Sequence, residues 1–156
     1  MRLFRIAKKR YADDLSGEGA RLYGGRWNKK GDPVVYTSES VSLAAMEVLV
    51  NLPAADLPND LRLITIQIPD DADIHEIRTD ELPEGWTRYP SPELLANMGK
   101  RWIESGETLL LRVPSAVIPW EQNMLINPLH KMMESVEIES MEPFGFDNRL
   151  GNGSNR

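Results

Sequence analysis

Residues 34–52 read VVYTSESVSLAAMEVLVNL and predict a short strand followed directly by the clearest helix of the chain. The first four residues form a β-branched and aromatic run after the turn sequence Gly-Asp-Pro. The helix spans residues 38–52, because Ser38 or Ser40 can cap its beginning and Pro53 ends it. Nearly every residue in its second part is apolar, so we expect this helix to be buried.

Strands are predicted on both sides of this unit, where apolar and β-branched residues alternate: residues 2–7, 61–68, 108–113, 123–127 and 135–138. A second helix is predicted over residues 92–104, with Ser91 as its cap and Pro92 at its first position. Residues 13–25 and 69–90 are rich in Gly, Pro or charge and are expected to be loops. Because strands outnumber helices and do not alternate regularly with them, the sequence predicts an α+β fold.

The length of 156 residues fits one compact domain, residues 1–150, followed by a disordered tail, residues 151–156. The chain has no cysteine, which excludes disulfides and a thiol nucleophile, and its two histidines argue against a metal site. The net charge of −6 disfavours direct binding of nucleic acid. No apolar run reaches the roughly 18 residues of a membrane helix, and no secretory signal is evident, so we expect a cytoplasmic protein.

Glu47 is the one charged residue in the apolar part of the predicted helix. A buried carboxylate without a partner costs several kcal/mol, so Glu47 should either meet a cation or line a cleft. The alternative is that its side of the helix simply faces solvent.

A second group of candidates lies in the run Gly24-Gly25-Arg26-Trp27-Asn28. The glycines free the backbone, and the planar fork of Arg26 suits a phosphate, so the loop could hold a diphosphate. The alternative is a tight turn with a surface arginine. The run matches neither a Walker loop nor the dinucleotide fingerprint.

Two polar residues follow predicted strands. Ser115 comes just after Pro114, where sites are commonly built, although an ordinary turn serine is the simpler interpretation. Asn127 precedes Pro128 and either satisfies a turn or presents its amide to a ligand. The two histidines have no evident acid–base partners, so a serine-hydrolase triad has little support.

These segments, taken in order, resemble the RES-domain family over about residues 5–130. The resemblance is carried by Arg5 and by the runs at 24–28 (GGRWN), 35–38 (VYTS), 44–47 (AAME), 113–115 (VPS) and 127–128 (NP). The arginine, glutamate and serine that give the family its name fall on Arg26, Glu47 and Ser115.

The resemblance implies a fold related to the ADP-ribosyltransferase toxins and the role of toxin in a toxin–antitoxin pair. It implies an enzyme that consumes NAD⁺ as a phosphorylase or glycohydrolase, with inorganic phosphate as a co-substrate and no prosthetic group. Some family members are ADP-ribosyltransferases instead. The implied partner is a helix-turn-helix antitoxin that covers the active site, while the oligomeric state, including a homodimer, stays open.

The family's functional positions correspond to Arg26, Tyr36, Glu47 and Ser115, which are the expected catalytic residues. Arg5, Arg26, Tyr36 and Asn127 are expected to bind NAD⁺. No metal ligand is implied.

Elementary chemistry agrees with these roles. Breaking the nicotinamide–ribose bond develops positive charge on the ribose, which Glu47 would stabilise. Arg26, aided by Arg5, would bind the diphosphate, and Tyr36 would stack on the nicotinamide or ribose. Ser115 would hydrogen-bond the substrate or an incoming phosphate. We also expect Arg26 and Glu47 to form an ion pair in the empty site. The alternative function is a non-enzymatic acidic binding module, which would need none of these contacts.

Overall fold

A computed structural model describes residues 1–53 and 55–151, and these residues form seven β-strands and three α-helices. The strands are β1 (Arg2–Lys8), β2 (Val35–Ser38), β3 (Leu61–Gln67), β4 (Ile74–Glu76), β5 (Leu110–Pro114), β6 (Gln122–Ile126) and β7 (Glu137–Phe144). The helices are α1 (Glu18–Tyr23), α2 (Val41–Leu49) and α3 (Glu93–Ser105). No helix of this described part has both the length and the apolar character needed to cross a membrane.

All seven strands belong to one mixed sheet in the order β4-β5-β6-β2-β1-β3-β7. Neighbouring strands are antiparallel except β4 and β5, which run parallel. The predicted α+β class is therefore confirmed. Five of the predicted strands appear as β1, β2, β3, β5 and β6 with small shifts of their ends, and the last one extends into the longer β7.

The two longer helices cover the same face of the sheet. Helix α3 packs Leu95 and Trp102 against β5 and β6, and α2 packs Ala44 against Ile6 of β1 and Leu61 of β3. The opposite face carries another large apolar cluster, which includes Leu3, Ile64, Ile66, Leu110, Met124 and Ile126. Short 3-10 turns and loops cover that second face. The sheet is thus the middle layer, and α2 and α3 define the side on which the candidate residues are sought.

Helix α2 is shorter than predicted. Ser38 still belongs to β2, and Ser40 is the cap, because its Oγ accepts a hydrogen bond from the backbone N–H of Leu43 at 3.1 Å. The regular helix ends at Leu49 and is followed by turns. Helix α3 begins after Pro92 with no side-chain cap, so the predicted cap at Ser91 is wrong.

The expectation of loops over residues 13–25 and 69–90 is also wrong in part. The first range contains α1. This helix begins after Gly17, whose own backbone has a left-handed conformation (φ 74°). The Glu18–Arg21 ion pair supports this helix across one turn. The second range contains β4, whose three residues pair with β5, and the buried Trp86. Neither element shows in local periodicity, because each is short and depends on distant partners.

Candidate active site

Glu47 lies in the second half of α2 and is fixed by two other elements. Its Oε1 atom accepts hydrogen bonds from the Ser115 hydroxyl at 2.7 Å and from Nδ2 of Asn123 at 2.5 Å. Ser115 follows the end of β5, and Asn123 lies near the start of β6. The carboxylate therefore has partners, but they are a hydroxyl and an amide rather than the expected cation.

Ser115 uses all of its hydrogen-bonding capacity within the chain. The side chain is fully buried, and its oxygen accepts from the backbone N–H groups of Val117 at 3.1 Å and Ile118 at 3.0 Å. With both acceptor positions filled, the hydroxyl proton is directed to Glu47. In this structure Ser115 therefore orients the carboxylate, and it has no free donor or acceptor for a substrate or an incoming phosphate.

Asn123 and Ser38 complete the arrangement, although neither was predicted to be a site residue. The Ser38 hydroxyl donates to Oδ1 of Asn123 at 2.7 Å across the β2–β6 pair. This bond fixes the amide so that its NH₂ group points to Glu47. The available signal was an amide at the start of the apolar strand run that ends at Asn127. We call Glu47, Ser115, Asn123 and Ser38 the Glu47 cluster.

The second oxygen of Glu47 is left for a ligand. Both donors of the Glu47 cluster bind Oε1, and within residues 1–53 and 55–151 no donor binds Oε2. The side chain is half-buried, so it reaches the surface at one edge. A carboxylate held by one oxygen and open at the other can accept a hydroxyl hydrogen bond or stabilise a developing positive charge.

Arg26 is held by the backbone of a distant segment. Its Nη1 atom donates to the carbonyl oxygens of Trp86 at 2.7 Å and Arg88 at 3.1 Å. Burial lowers the pKa of its guanidinium, and the Glu47 carboxylate opposes this by favouring the charged form. Arg26 and Glu47 are thus close enough to interact electrostatically. They do not form the direct ion pair that was expected in the empty site, because the carbonyl groups already engage the guanidinium.

Tyr36 anchors the loop that carries Arg26. The Tyr36 hydroxyl donates to Oδ1 of Asn28 at 2.7 Å and accepts from the backbone N–H of Trp27 at 3.1 Å. Burial raises the pKa of this phenol. A Cβ on Gly25 would lie 2.7 Å from the hydroxyl, so the loop closes on Tyr36 only with glycine there. The structure gives the Tyr36 hydroxyl this anchoring contact, whereas the sequence interpretation had its ring stacking on the substrate.

Helix α3 supports the same loop from the other side. Trp27 is almost fully buried, and a Cβ added to Gly99 would lie 1.7 Å from the Trp27 carbonyl oxygen. No side chain fits at that contact. Arg26 is therefore placed by β2 and by α3 together.

The structure does not bring Arg5 or Asn127 to this site. The register pairs Phe4 with Ser38 and Arg5 with Ile64, which puts Arg5 on the opposite face of the sheet from the Glu47 cluster. Its guanidinium donates to the carbonyl oxygens of residues 11 and 14 instead. Asn127 follows the far end of β6, where its buried amide bonds the backbone of residues 103 and 129. Both side chains therefore bond other parts of the chain's backbone, away from the Glu47 cluster.

No three His, Asp or Glu side chains of the described residues come together as a metal site would require. The site's charged groups are instead one carboxylate with a free oxygen and one guanidinium with free N–H donors, held by separate supports. Such a pair suits a ligand that carries both a cationic or hydroxyl-bearing part and a phosphate part.

Comparison with known proteins shows the family. The family model described as the RES domain matches residues 2–147, nearly the whole chain. This chain is a RES-domain protein. The matched range covers all the segments that carry the resemblance, so the resemblance seen in the sequence is confirmed.

Several RES-domain relatives are similar over their full length. The chain is 39% identical to "Toxin Res" of Yersinia enterocolitica, covering 96% of this chain and 99% of the relative. It is 40% identical to "Toxin Res" of Pseudomonas putida, with 96% and 99% covered. It is 36% identical to the "Prs ADP-ribosylating toxin" of Sphingobium sp., with 96% and 94% covered.

A solved structure shows the same fold. The RES-domain chain superposes on a chain of the M. tuberculosis MbcT–MbcA toxin–antitoxin complex with a TM-score of 0.72. The match covers 92% of this chain and 84% of that one at 20% identity. The likeness confirms the predicted α+β fold.

Proposed function

We propose that this RES-domain protein is a toxin that cleaves the nicotinamide–ribose bond of NAD⁺. The observation that carries the proposal is the half-buried Glu47 carboxylate, held through Oε1 by Ser115 and Asn123 and open at Oε2. Arg26 lies within electrostatic range of this carboxylate. The names of the relatives from Yersinia and Pseudomonas support the role of toxin.

The chemistry requires little beyond these groups. As the glycosidic C–N bond breaks, its electron pair goes to the nicotinamide ring nitrogen, which becomes neutral, and positive charge develops on the ribose. The open oxygen of Glu47 would stabilise that charge or accept from a ribose hydroxyl, and Arg26 would bind the diphosphate. The leaving group is already cationic, so no general acid is needed.

The acceptor decides the product. Attack by a phosphate oxygen on the ribose carbon gives ADP-ribose-1″-phosphate, and attack by water gives ADP-ribose and a proton. We propose inorganic phosphate as the acceptor, which would make the protein an NAD⁺ phosphorylase. Mass analysis of products formed with and without phosphate separates the two reactions.

The decisive experiment measures nicotinamide release from NAD⁺ by the purified chain. Glu47→Gln keeps the shape of the side chain but removes its charge, so we expect release to fall about 100-fold or more. Arg26→Ala should lower kcat/KM strongly through weaker binding. Glu134→Gln is the matched control, because Glu134 is exposed on a turn under the other face of the sheet. Wild-type release by Glu47→Gln, in protein with an unchanged unfolding curve, would refute the proposal.

A second candidate function is transfer of ADP-ribose to a protein. The name of the Sphingobium relative favours it, and the same bond of NAD⁺ would break first. Incubation of the chain with labelled NAD⁺ and a cell lysate would then label a protein band. Release of free ADP-ribose or its phosphate without any labelled protein would count against this function.

We also propose that a cytoplasmic antitoxin controls the protein. The similar solved chain comes from a toxin–antitoxin complex, and the net charge of −6 would complement a basic partner. A helix-turn-helix antitoxin that covers Glu47 and Arg26 would abolish nicotinamide release at a one-to-one ratio. A complex that forms but retains full release would show that the antitoxin binds elsewhere.

A further inference from the structure

The segment around Arg88 lies beside Arg26, although residues 69–90 were expected to be only a loop. The carbonyl oxygens of Trp86 and Arg88 both accept from the Arg26 guanidinium. Trp86 is buried and anchors the segment, and backbone hydrogen bonds from Trp86 to Pro83 and from Arg88 to Gly85 shape it into successive turns. Arg88 itself is exposed. Its backbone is therefore fixed within hydrogen-bond distance of the Arg26 guanidinium, and its side chain is in solvent.

Arg26 and Arg88 have no direct ion pair among the described residues, unlike several other arginines of the chain. Several other arginines are each paired with a carboxylate: Arg2, Arg21, Arg78, Arg112 and Arg149. Neither Arg26 nor Arg88 forms an ion pair with any residue that the structure describes. The Arg88 side chain extends into solvent from a backbone that contacts Arg26, and neither guanidinium has a carboxylate of this described part bound to it, so both are available to an anion.

The donors of Arg26 are also incompletely used. Both carbonyl contacts are made through Nη1, and Nε and Nη2 donate to no described residue. A guanidinium pinned at one nitrogen presents its other N–H groups as a fork, which matches the oxygens of a phosphate. The exposed Arg88 side chain starts from a backbone that contacts Arg26, so it can reach the same anion.

We propose that Arg88 and Arg26 form a two-arginine phosphate site beside Glu47. This inference rests on the proposed function. It assigns to Arg88 the role of second cation for the substrate phosphates, which Arg5 cannot have because it lies on the other face of the sheet. The shared ligand chemistry is a phosphate group, which comes either from the diphosphate of NAD⁺ or from the inorganic phosphate acceptor.

The test compares Arg88→Gln with Arg10→Gln, which makes the same charge change. Arg10 is exposed on the turn beyond the end of β1 that lies away from Ser38. In the first arm, calorimetry measures the binding of inorganic pyrophosphate and inorganic phosphate to each variant. We expect Arg88→Gln to weaken pyrophosphate binding about tenfold, Arg88→Lys to weaken it less, and Arg10→Gln to leave it at the wild-type value.

The second arm measures steady-state kinetics. A raised KM for NAD⁺ with kcat within about twofold of wild type assigns the site to the diphosphate. A raised KM for inorganic phosphate alone assigns it to the acceptor. Wild-type values for Arg88→Gln in both arms, or equal losses in Arg10→Gln, would overturn the site. If the wild type releases no nicotinamide while Arg88→Gln still loses pyrophosphate binding, the proposed function fails and the phosphate site stands.

Discussion

Replacing Tyr36 by phenylalanine separates two roles that the residue could have. The substitution keeps the aromatic ring but removes the oxygen that bonds Trp27 and Asn28 at 3.1 and 2.7 Å. If the ring contributes by stacking on a substrate, the variant should keep full activity. If the hydroxyl contributes by anchoring the loop of residues 24–28, both stability and activity should fall.

The magnitude follows from the groups left without a partner. Trp27 and Asn28 are 3% and 1% exposed, so neither the amide N–H nor Oδ1 gains water in exchange. The amide nitrogen of Asn28 already donates to three carbonyl groups, which prevents the side chain from turning to a new partner. Each buried group left unsatisfied costs about 1–3 kcal/mol. We therefore expect the free energy of unfolding to fall by at least about 2 kcal/mol and Tm by roughly 4–8 °C.

The assay pairs urea unfolding with nicotinamide release. Tyr23→Phe is the control, because its side chain is 80% exposed and no hydrogen bond to its hydroxyl is formed by the described residues. Tyr36→Phe should lower the urea midpoint and raise KM for NAD⁺, since Arg26 is displaced with the loop. An unchanged midpoint together with unchanged kinetics would refute the anchoring role.

Three further predictions concern the supports of the site. Gly99→Ala should destabilise the protein by at least about 3 kcal/mol in urea unfolding, because its Cβ would lie 1.7 Å from the Trp27 carbonyl oxygen. Gly19→Ala is the control and should not destabilise the protein, because no atom lies within 4 Å of the added Cβ. Ser115→Ala should lower the free energy of unfolding by about 2–3 kcal/mol and reduce nicotinamide release, because two backbone N–H groups lose their acceptor and Glu47 loses one of its two donors. Stability should fall as the pH rises above about 10, since the raised pKa of Tyr36 means that the unfolded chain releases its proton first. That fall should be smaller in Tyr36→Phe, and equal slopes for the two proteins in urea titrations at pH 9 to 11 would contradict it.

The parts of the fold that the sequence predicted are those that local pattern determines. Strands β1, β3 and β6 alternate apolar and polar residues or form apolar runs, and the cap and proline around α2 are local signals. Strand β4 exists because β5 lies beside it, and α1 depends on the left-handed backbone of Gly17, which a Cβ would drive into Val34. Such partners are distant along the chain, so no window of sequence contains them.

The residues of the site were likewise predictable only where a local sequence signal marks them. A single charge on an apolar helix led to the expectation of a cation or a cleft beside Glu47, with solvent as the alternative. Only Leu43 and Ala44 of α2 are buried, and composition could not identify a hydroxyl and an amide as the partners of Glu47. Asn123 stands at the start of a strand, and an asparagine at such a position is as typical of a turn as of a site. The sequence therefore did not single it out. The period of β1 puts Arg5 on the same side as Leu3, yet only the packing of α2 shows which side of the sheet holds the site.

The two carbonyl contacts of Arg26 have a thermodynamic consequence. An arginine side chain free in solution loses up to about 2 kcal/mol of rotamer entropy when it is immobilised on a ligand. Here the carbonyls of Trp86 and Arg88 immobilise it during folding, so the guanidinium is preorganised before any anion arrives. A lysine at position 26 would keep the charge, but a single ammonium cannot satisfy both carbonyls and still present a planar fork. The conservative replacement should therefore behave nearly as poorly as alanine.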